Sequence, residues 1–130
     1  MIKKHFHLII ILLFLIASCV TEEILVTKYL NDIDNQVSQI QTYVKDKEQL
    51  NTCEILFMVE NLDEDWKKKE HILCMIVNHK DIEDIGIEIA RLKSNAATSQ
   101  IEDFNASLSL IRFYAKAYNH VMGTNLYNVL

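Results

Sequence analysis

The segment 78–84 gathers the residue types of this sequence that are best suited to acid–base chemistry. His79 stands close to Asp81, Glu83 and Asp84, where one predicted helix ends and the next begins. An imidazole with a carboxylate neighbour can act as a general acid or base. The same residue types also stabilise helix ends, because Asp81 is a good N-cap and His79 favours a preceding C-terminus. We therefore interpret His79, Asp81 and Glu83 as a capping or interaction junction.

A second concentration of charge lies in the middle of the second predicted helix. Each of three acidic residues stands four positions before a lysine: Asp63, Glu64 and Asp65, then Lys67, Lys68 and Lys69. Such pairs stabilise a helix by about 0.3–0.5 kcal/mol each. A calcium-binding loop would need alternating ligands and a glycine, which this run lacks. We expect a solvated helix surface here.

The sequence contains no motif for nucleophilic, phosphate-binding or metal chemistry. It has no Gly-x-Ser-x-Gly sequence, no glycine-rich phosphate loop and no cysteine set with metal-ligand spacing. His71, His79 and His120 are never four residues apart, the spacing that puts two imidazoles on one helix face. Cys53 and Cys74 fall on one predicted helix, about 31 Å apart, which is too far for a disulfide. We predict no catalytic residues, no cofactor and no metal.

Composition limits both the fold and the partners. The formal net charge of −5 repels phosphate backbones, which argues against nucleic acid as a partner. The chain has no proline and 2 glycines, whereas sheets joined by tight turns usually need more glycine. Its 130 residues are enough for one hydrophobic core. We predict a single all-α domain.

Apolar residues recur every three or four positions in four stretches, which is the period of an amphipathic helix. The stripes are Val26, Leu30, Ile33, Val37, Ile40 and Val44; Ile55, Val59, Leu62, Trp66, Leu73 and Ile76; Ile82, Ile85, Ile89 and Leu92; and Ile101, Phe104, Leu108, Ile111, Ala115, Tyr118 and Met122. The links near residues 46–50, 78–81 and 95–99 are short, which favours antiparallel neighbours. The sequence predicts an elongated antiparallel bundle of about four helices after an N-terminal leader.

Single residues predict details of this bundle. Ser99, with Glu102 three positions later, forms a capping box and predicts the start of the fourth helix. Gly123 stands where a C-terminal cap belongs. Gly86 either costs about 1 kcal/mol of helix propensity or lets a neighbouring helix approach closely. Lys69 interrupts the second stripe, so we expect the stripe to shift or the lysine stem to snorkel.

The N-terminus has the layout of an export signal. Lys3 and Lys4 form a positive patch, an apolar run follows, and small residues lead to Cys19. The last four residues of this leader, from Ile16, fit the bacterial lipobox, whose cysteine receives a diacylglyceryl group before cleavage. We predict a signal peptide over residues 1–18, a lipidated Cys19 and a single extracytoplasmic helical domain over residues 19–130.

An uncleaved membrane anchor is the alternative to this processing. The apolar run from Leu8 to Val20 has only 13 residues, whereas a membrane span needs about 20. Apolar residues resume at Ile24 after two glutamates, so an anchor with snorkelling ends also fits the sequence. Both routes put the domain outside the cytoplasm, because the lysines near the N-terminus hold that end inside.

Five stretches carry a family resemblance. They are residues 65–68 (DWKK), 76–82 (IVNHKDI), 87–93 (IEIARLK), 111–114 (IRFY) and 125–130 (NLYNVL). Through them the chain resembles a family of uncharacterised Firmicutes proteins, domain of unknown function 4363. The resemblance implies a small membrane-attached helical protein of a sporulating Gram-positive host, and it transfers no functional residues. Members of that family usually begin with a plain hydrophobic anchor, so the lipobox residue Cys19 departs from their pattern.

We expect a non-enzymatic interaction or scaffold module that its N-terminus tethers to the membrane. Its partner would be an integral membrane protein or a second copy of the chain, docked on apolar side chains outside the stripes. Those side chains are Leu56, Phe57, Met58, Ile87 and Leu110. One alternative is a bundle that binds a small apolar or lipid-like ligand in its interior. An enzyme that uses His79 with Asp81 or Glu83 is the hypothesis that fits the sequence least.

Overall fold

Four helices make up the described part of the chain, in a computed structural model. It describes the backbone of residues 2–127 and, within that range, all side chains except those of 2–4, 81 and 119–127. In chain order the helices are α1 (Ile2–Val44), α2 (Cys53–Ile76), α3 (His79–Thr98) and α4 (Ile101–Tyr127). Each helix packs antiparallel against the next, and α4 returns to α1. The prediction of an all-α antiparallel bundle is confirmed.

α1 is one unbroken helix that joins the predicted leader to the first amphipathic stretch. It has 43 residues, or about 64 Å at 1.5 Å per residue. Between Phe6 and Ile24 its large apolar side chains are exposed, and from Val26 onward every third or fourth residue is buried. The first half of α1 therefore stands outside the bundle, whereas the second half forms one wall of the core.

The core consists of the predicted apolar stripes. All stripe residues of α1 and α3 are buried, as are those of α2 except Ile76, which packs partly against the core. Trp66 is the largest fully buried side chain. On α4 the stripe is buried in its middle, while Ile101 is exposed in the first turn and Tyr118 is half-buried. The side chain of Met122 lies outside the described residues.

α2 begins later than the sequence predicts. The predicted link near residues 46–50 is longer in the structure, because residues 45–52 are irregular before the helix starts at Cys53. Thr52 is the N-cap, and its hydroxyl accepts a hydrogen bond of 3.4 Å from the backbone N–H of Ile55. This bond satisfies one of the amides that the first helical turn leaves free.

α3 begins before the N-cap that the sequence predicts. Asn78 occupies the N-cap position, and its side-chain oxygen accepts a hydrogen bond of 3.2 Å from the N–H of Lys80. The prediction of Asp81 as N-cap is therefore wrong, because Asp81 already lies in the first turn of α3. The extended backbone of Val77 ends α2, so the next residue is free to cap the following helix.

Ser99 ends α3 and does not begin α4. Its backbone is left-handed, with φ 57° and ψ 34°, and its N–H donates to the carbonyl of Ala96 at 3.2 Å. Its hydroxyl accepts a hydrogen bond of 2.7 Å from the N–H of Leu50 in the α1–α2 link. The predicted capping box is wrong because this distant amide takes the serine oxygen. The predicted cap at Gly123 is also wrong, since α4 continues to Tyr127.

Gly86 allows α2 and α3 to approach closely. A Cβ atom at this position would lie 3.0 Å from Nε1 of Trp66 and 3.4 Å from Oε1 of Glu70. The first of these distances is shorter than ordinary van der Waals contact, so the indole ring occupies the space that a side chain would need. Of the two readings that the sequence left open for Gly86, close helix packing is confirmed.

Candidate functional site

His79 and Cys74 meet at the turn between α2 and α3. Sγ of Cys74 lies 3.0 Å from Nδ1 of His79, which is within hydrogen-bond distance. Cys74 belongs to the last turn of α2 and His79 is the first residue of α3, so the extended Val77 between them brings the side chains together. The sequence analysis missed this pair. The only signal for it is a cysteine and a histidine on either side of a helix break.

The predicted junction of His79, Asp81 and Glu83 is described in part. Glu83 is exposed one turn into α3 and lines a groove between α2 and α3, while His79 contacts Cys74. The side chain of Asp81 lies outside the described residues, so its place in the junction stays a prediction. Among the side chains that the structure does describe, no three His, Cys, Asp or Glu groups come together as a metal site.

Part of the charged run on α2 forms an interhelical network. Asp63 is only 8% exposed, and its carboxylate accepts hydrogen bonds from Lys67 at 2.7 Å and from Lys93 of α3 at 3.1 Å. Nζ of Lys93 also lies 2.6 Å from Oε2 of Glu60. The expectation of a solvated surface is wrong at Asp63, because α3 packs over that side of α2.

These contacts shift the pKa values of both partners. Burial alone would raise the pKa of the Asp63 carboxyl, but hydrogen bonds from Lys67 and Lys93 hold it below its usual range. Hydrogen bonds to Glu60 and Asp63 raise the pKa of the Lys93 ammonium. The Asp63 carboxylate therefore stays ionised and the Lys93 ammonium stays protonated, so the ion pair between them holds α2 against α3.

Lys69 holds α2 against α1. It forms an ion pair with Asp65 on its own helix and lies 3.6 Å from Asp32 of α1. Its Nζ atom is 5.7 Å from the centre of the Tyr29 ring, a cation–π contact. Burial raises the pKa of Asp65, but hydrogen bonds from Lys69 and Gln36 lower it further than burial raises it. The predicted snorkelling of Lys69 to water is wrong, because its side chain is only 12% exposed and its ammonium is held between the two helices.

Arg112 joins α4 to α1. Its Nε donates to Oδ1 of Asp34 at 2.8 Å, and its Nη1 donates to Oε1 of Gln41 at 2.8 Å. Lys116 places its Nζ 3.7 Å from the same aspartate. The sequence analysis missed this cluster, because each member alone is an ordinary charged residue on the polar face of a helix. With the two networks on α2, it fixes the register of the helices.

A groove between α2 and α3 lies beside the network of Asp63 and Lys93. It encloses about 460 Å³ and opens at the surface. Its lining residues are Asp63, Trp66, Lys67, Glu70, Glu83, Gly86, Ile87, Ala90 and Lys93. Nε1 of Trp66 is buried at its floor and has no hydrogen-bond partner among the described groups. A ligand-binding bundle would require an apolar cavity in the interior, and this open groove is not one.

Exposed apolar side chains mark three parts of the surface. The leader half of α1 is the largest. On α4, Leu110 is 37% and Phe113 is 63% exposed, and Phe113 packs edge-on against Tyr114. On α2, exposed apolar residues lie at both ends, with Phe57 at one and Met75 at the other.

Four of the five predicted docking residues are exposed. They are Leu56, Phe57, Ile87 and Leu110. The fifth, Met58, is half-buried and packs against the core, so its assignment to the docking surface is wrong. Its position one residue before the buried Val59 of α2 accounts for this, because the neighbouring side of a helix is partly covered as well.

The leader half of α1 is long and apolar enough to cross a membrane. The candidate segment starts at His5, its mean hydropathy over the most apolar window is 2.5, and 6% of that window is buried in the bundle. Signal sequences share these properties, so the structure supports a signal or an anchor without choosing between them. Cys19 is exposed in this part of the helix.

These features define a class of protein: a small antiparallel four-helix bundle whose first helix extends into an apolar N-terminal segment. More specifically, the chain belongs to the family described as domain of unknown function (DUF4363), whose model matches residues 24–129. The match begins where α1 enters the bundle, so the bundle is the part that the family shares. No curated protein and no solved structure matches the chain.

Proposed function

We propose that this protein is a membrane-tethered, extracytoplasmic interaction or scaffold module without enzymatic activity. The continuity of α1 carries the proposal. One helix is bare and apolar between Phe6 and Ile24 and becomes a wall of the protein core from Val26 onward. A surface as apolar as the first half is stable in lipid and costly in water, so the helix ties the bundle to a bilayer.

The charges at the two ends of the leader support an outward orientation. Lys3 and Lys4 precede the apolar segment, and Glu22 and Glu23 follow it. Positive residues are retained on the cytoplasmic side of membranes, which leaves the bundle outside. The acidic bundle, with a formal net charge of −5 for the whole chain, relies on the apolar segment for attachment because anionic headgroups repel it.

Two processing routes lead to this tether. Lipidation of Cys19 with removal of residues 1–18 would leave a lipid anchor a short distance from the bundle. Without cleavage, the leader itself would span the bilayer. Intact mass of the protein extracted from membranes separates the two, because cleavage removes the leader and acylation adds lipid mass. Recovery of the chain in the soluble fraction at full length would contradict the tether.

The outer face of α4 supports an interaction role. Ala106, Leu110, Phe113 and Ala117 follow one another at spacings of four, three and four, so they share one side of the helix. This side points away from the buried residues, and small alanines flank the two large side chains. Such a strip fits the apolar face of another helix, from an integral membrane protein or from a second copy.

The charged clusters support a structural role and not a catalytic one. Asp34, Asp63 and Asp65 are each engaged by a cation or an amide from a neighbouring helix. A general acid or base must be free to exchange a proton with a substrate. We therefore assign these carboxylates to holding the helices in register.

Substitution on α4 tests the interaction role. Phe113→Asp should abolish association of the detergent-extracted full chain with its partner or with a second copy, as measured by native mass and chemical cross-linking. Tyr43→Asp is the control, since Tyr43 is an exposed aromatic residue on α1 outside the predicted docking surface. A chain that is monomeric and without partners before any substitution would remove the basis for the proposal.

A further inference from the structure

The C-terminal end of α2 carries apolar residues that are exposed in the described part of the bundle. Met75 is 72% exposed and Ile72 is 37% exposed, while Ile76 and Val77 are half-buried beside them. We call these four residues the α2 tip. In water such a cluster is unfavourable in proportion to the apolar surface that it exposes.

Contacts between α1 and α2 place the α2 tip beside the point where α1 enters the bundle. Asp32 of α1 pairs with Lys69 of α2, and Gln36, one turn up α1, pairs with Asp65, one turn back along α2. The helices are antiparallel, so each step down α1 corresponds to one step forward on α2. Continuing that register puts Met75 level with about Val26, the first buried residue of α1.

The length of the leader places a bilayer surface at the same level. A span needs about 20 residues, or about 30 Å of helix. The exposed apolar segment of α1 begins at Phe6, so a span of that length ends near Leu25. Glu22 and Glu23 then fall in the last turn of that span, next to the headgroup region.

We propose that the α2 tip is a second membrane contact, which inserts Met75 and Ile72 into the interface of the bilayer that α1 crosses. The inference rests on the proposed tether in its uncleaved form. Contact at the α2 tip in addition to α1 restricts the tilt of the bundle. Methionine and isoleucine gain by leaving water there, and the sulfur-bearing chain of Met75 adapts to an irregular lipid surface.

Charges around the α2 tip select the kind of lipid. Four acidic residues lie toward this end of the bundle, Glu22 and Glu23 on α1 and Glu83 and Asp84 on α3, and they outnumber the exposed basic residues Lys28 and Lys80. This balance repels anionic headgroups. The contact is therefore apolar in origin, and it is strongest on a bilayer of zwitterionic lipids.

Phe57 provides an internal control for the α2 tip. It lies eighteen residues before Met75 on α2, which is about five turns at 3.6 residues per turn, so both point outward from the same side of the helix. The two are similarly exposed, at 66% and 72%. Phe57 lies about 27 Å further along α2, at the end of the bundle remote from the leader.

Photo-cross-linking of the full chain in phosphatidylcholine vesicles tests the proposal. The photoreactive residue p-benzoylphenylalanine replaces Leu12, Met75 or Phe57 in three separate preparations, and lipid adducts are measured by intact mass. All three positions are exposed, so the fold tolerates the probe. We expect lipid adducts at positions 12 and 75, with roughly tenfold less at position 57 because that site lies beyond the interface. Adding phosphatidylglycerol should lower the adduct yield at position 75.

The outcomes separate this inference from the proposed tether. Adducts at position 12 without adducts at position 75 overturn the membrane contact and leave the tether in place. The absence of lipid adducts at position 12 overturns both. An adduct between two copies of the chain at position 75 shows that the α2 tip is a protein interface, and it also overturns the inference. A yield at position 75 that does not fall with phosphatidylglycerol contradicts the role of the acidic residues.

Discussion

The two halves of α1 share one backbone and differ in what surrounds them. Between Leu8 and Val20 the helix is apolar on nearly all sides and exposed, and from Val26 onward the apolar residues form one stripe against α2 and α4. In both halves the backbone N–H and C=O groups form hydrogen bonds within the helix. The contrast shows that the period of the apolar residues, and not the helix itself, decides whether a surface of α1 is buried in the bundle.

The same substitution in each half gives the largest expected contrast. Leu30 is fully buried, so Leu30→Ala should lower the free energy of unfolding by about 2–5 kcal/mol through the cavity it leaves. Leu12→Ala, at a side chain that is 58% exposed, should leave unfolding unchanged. Urea unfolding of the full chain in detergent measures both. Equal losses for the two variants would show that the leader half also packs against the bundle.

A charge in the exposed leader half of α1 should lower membrane insertion and leave unfolding of the bundle unchanged. Leu12→Arg should reduce insertion into membranes by about 2.5–3.5 kcal/mol if this residue lies at the centre of a span. Thermal unfolding of the bundle should not change. Extraction of membranes with alkaline carbonate gives the inserted fraction, with Thr21→Arg at the edge of the apolar segment as the control. Full insertion of the Leu12 variant would contradict the assignment of the leader to the bilayer.

A substitution at Gly86 tests how tightly α2 and α3 pack in the protein core. Gly86→Ala gains helix propensity but drives a methyl group to 3.0 Å from the Trp66 indole. The buried ring has little room to move, so we expect a net loss of about 1–2 kcal/mol in the free energy of unfolding. Chemical unfolding followed by the fluorescence of this sole tryptophan measures it. A more stable variant would mean that α2 and α3 can separate slightly at no cost.

Acid should weaken the bundle through its interhelical carboxylates. The pKa values of Asp63 and Asp65 are lowered in the folded chain, so their contribution is complete above about pH 4 and is lost as the pH falls through the folded-state values. Asp63→Asn should cost about 1 kcal/mol at neutral pH and make this acid loss shallower. Glu64→Gln, in the same charged run but exposed, is the control. Identical acid profiles for both variants would contradict a stabilising role of Asp63 between α2 and α3.

The stability of the fold at high pH should depend on Lys93, the basic partner of Glu60 and Asp63. The pKa of Lys93 is raised by Glu60 and Asp63, so its contribution is present below about pH 10 and is lost as the pH rises through the raised value. Lys93→Met keeps much of the stem and removes the charge. Its free energy of unfolding should fall less than that of the parent chain between pH 9 and about pH 11. The same alkaline slope in both chains would exclude Lys93 as the titrating group.

The sequence predicts the core well because each stripe is a local pattern. Val26 to Val44 and Ile82 to Leu92 require only the period of a helix to be recognised. The helix ends were harder to predict. The Ser99 hydroxyl accepts a hydrogen bond from the backbone N–H of Leu50, and the local sequence around Ser99 does not show this distant partner. Propensity alone assigned that serine to the wrong helix.

The functional surface was predictable only in its apolar part. The leader is visible in composition, whereas the pair of Cys74 and His79 depends on the extended backbone of Val77, which ends α2 one residue before a cap. The contact of Arg112 with Asp34 joins positions 78 apart in the chain. Both contacts join residues of different helices, so the spacing of residue types along one helix does not predict them.

The absence of a break in α1 makes the angular position of the bundle depend on residue count. A helix advances about 100° and 1.5 Å per residue, so one residue added between the leader and Val26 would swing the whole bundle by about 100° around the axis of α1. The vertical change would be small, but the α2 tip and the outer face of α4 would then face other directions. The number of residues in α1 thus fixes the angle between each face of the bundle and the apolar N-terminal segment.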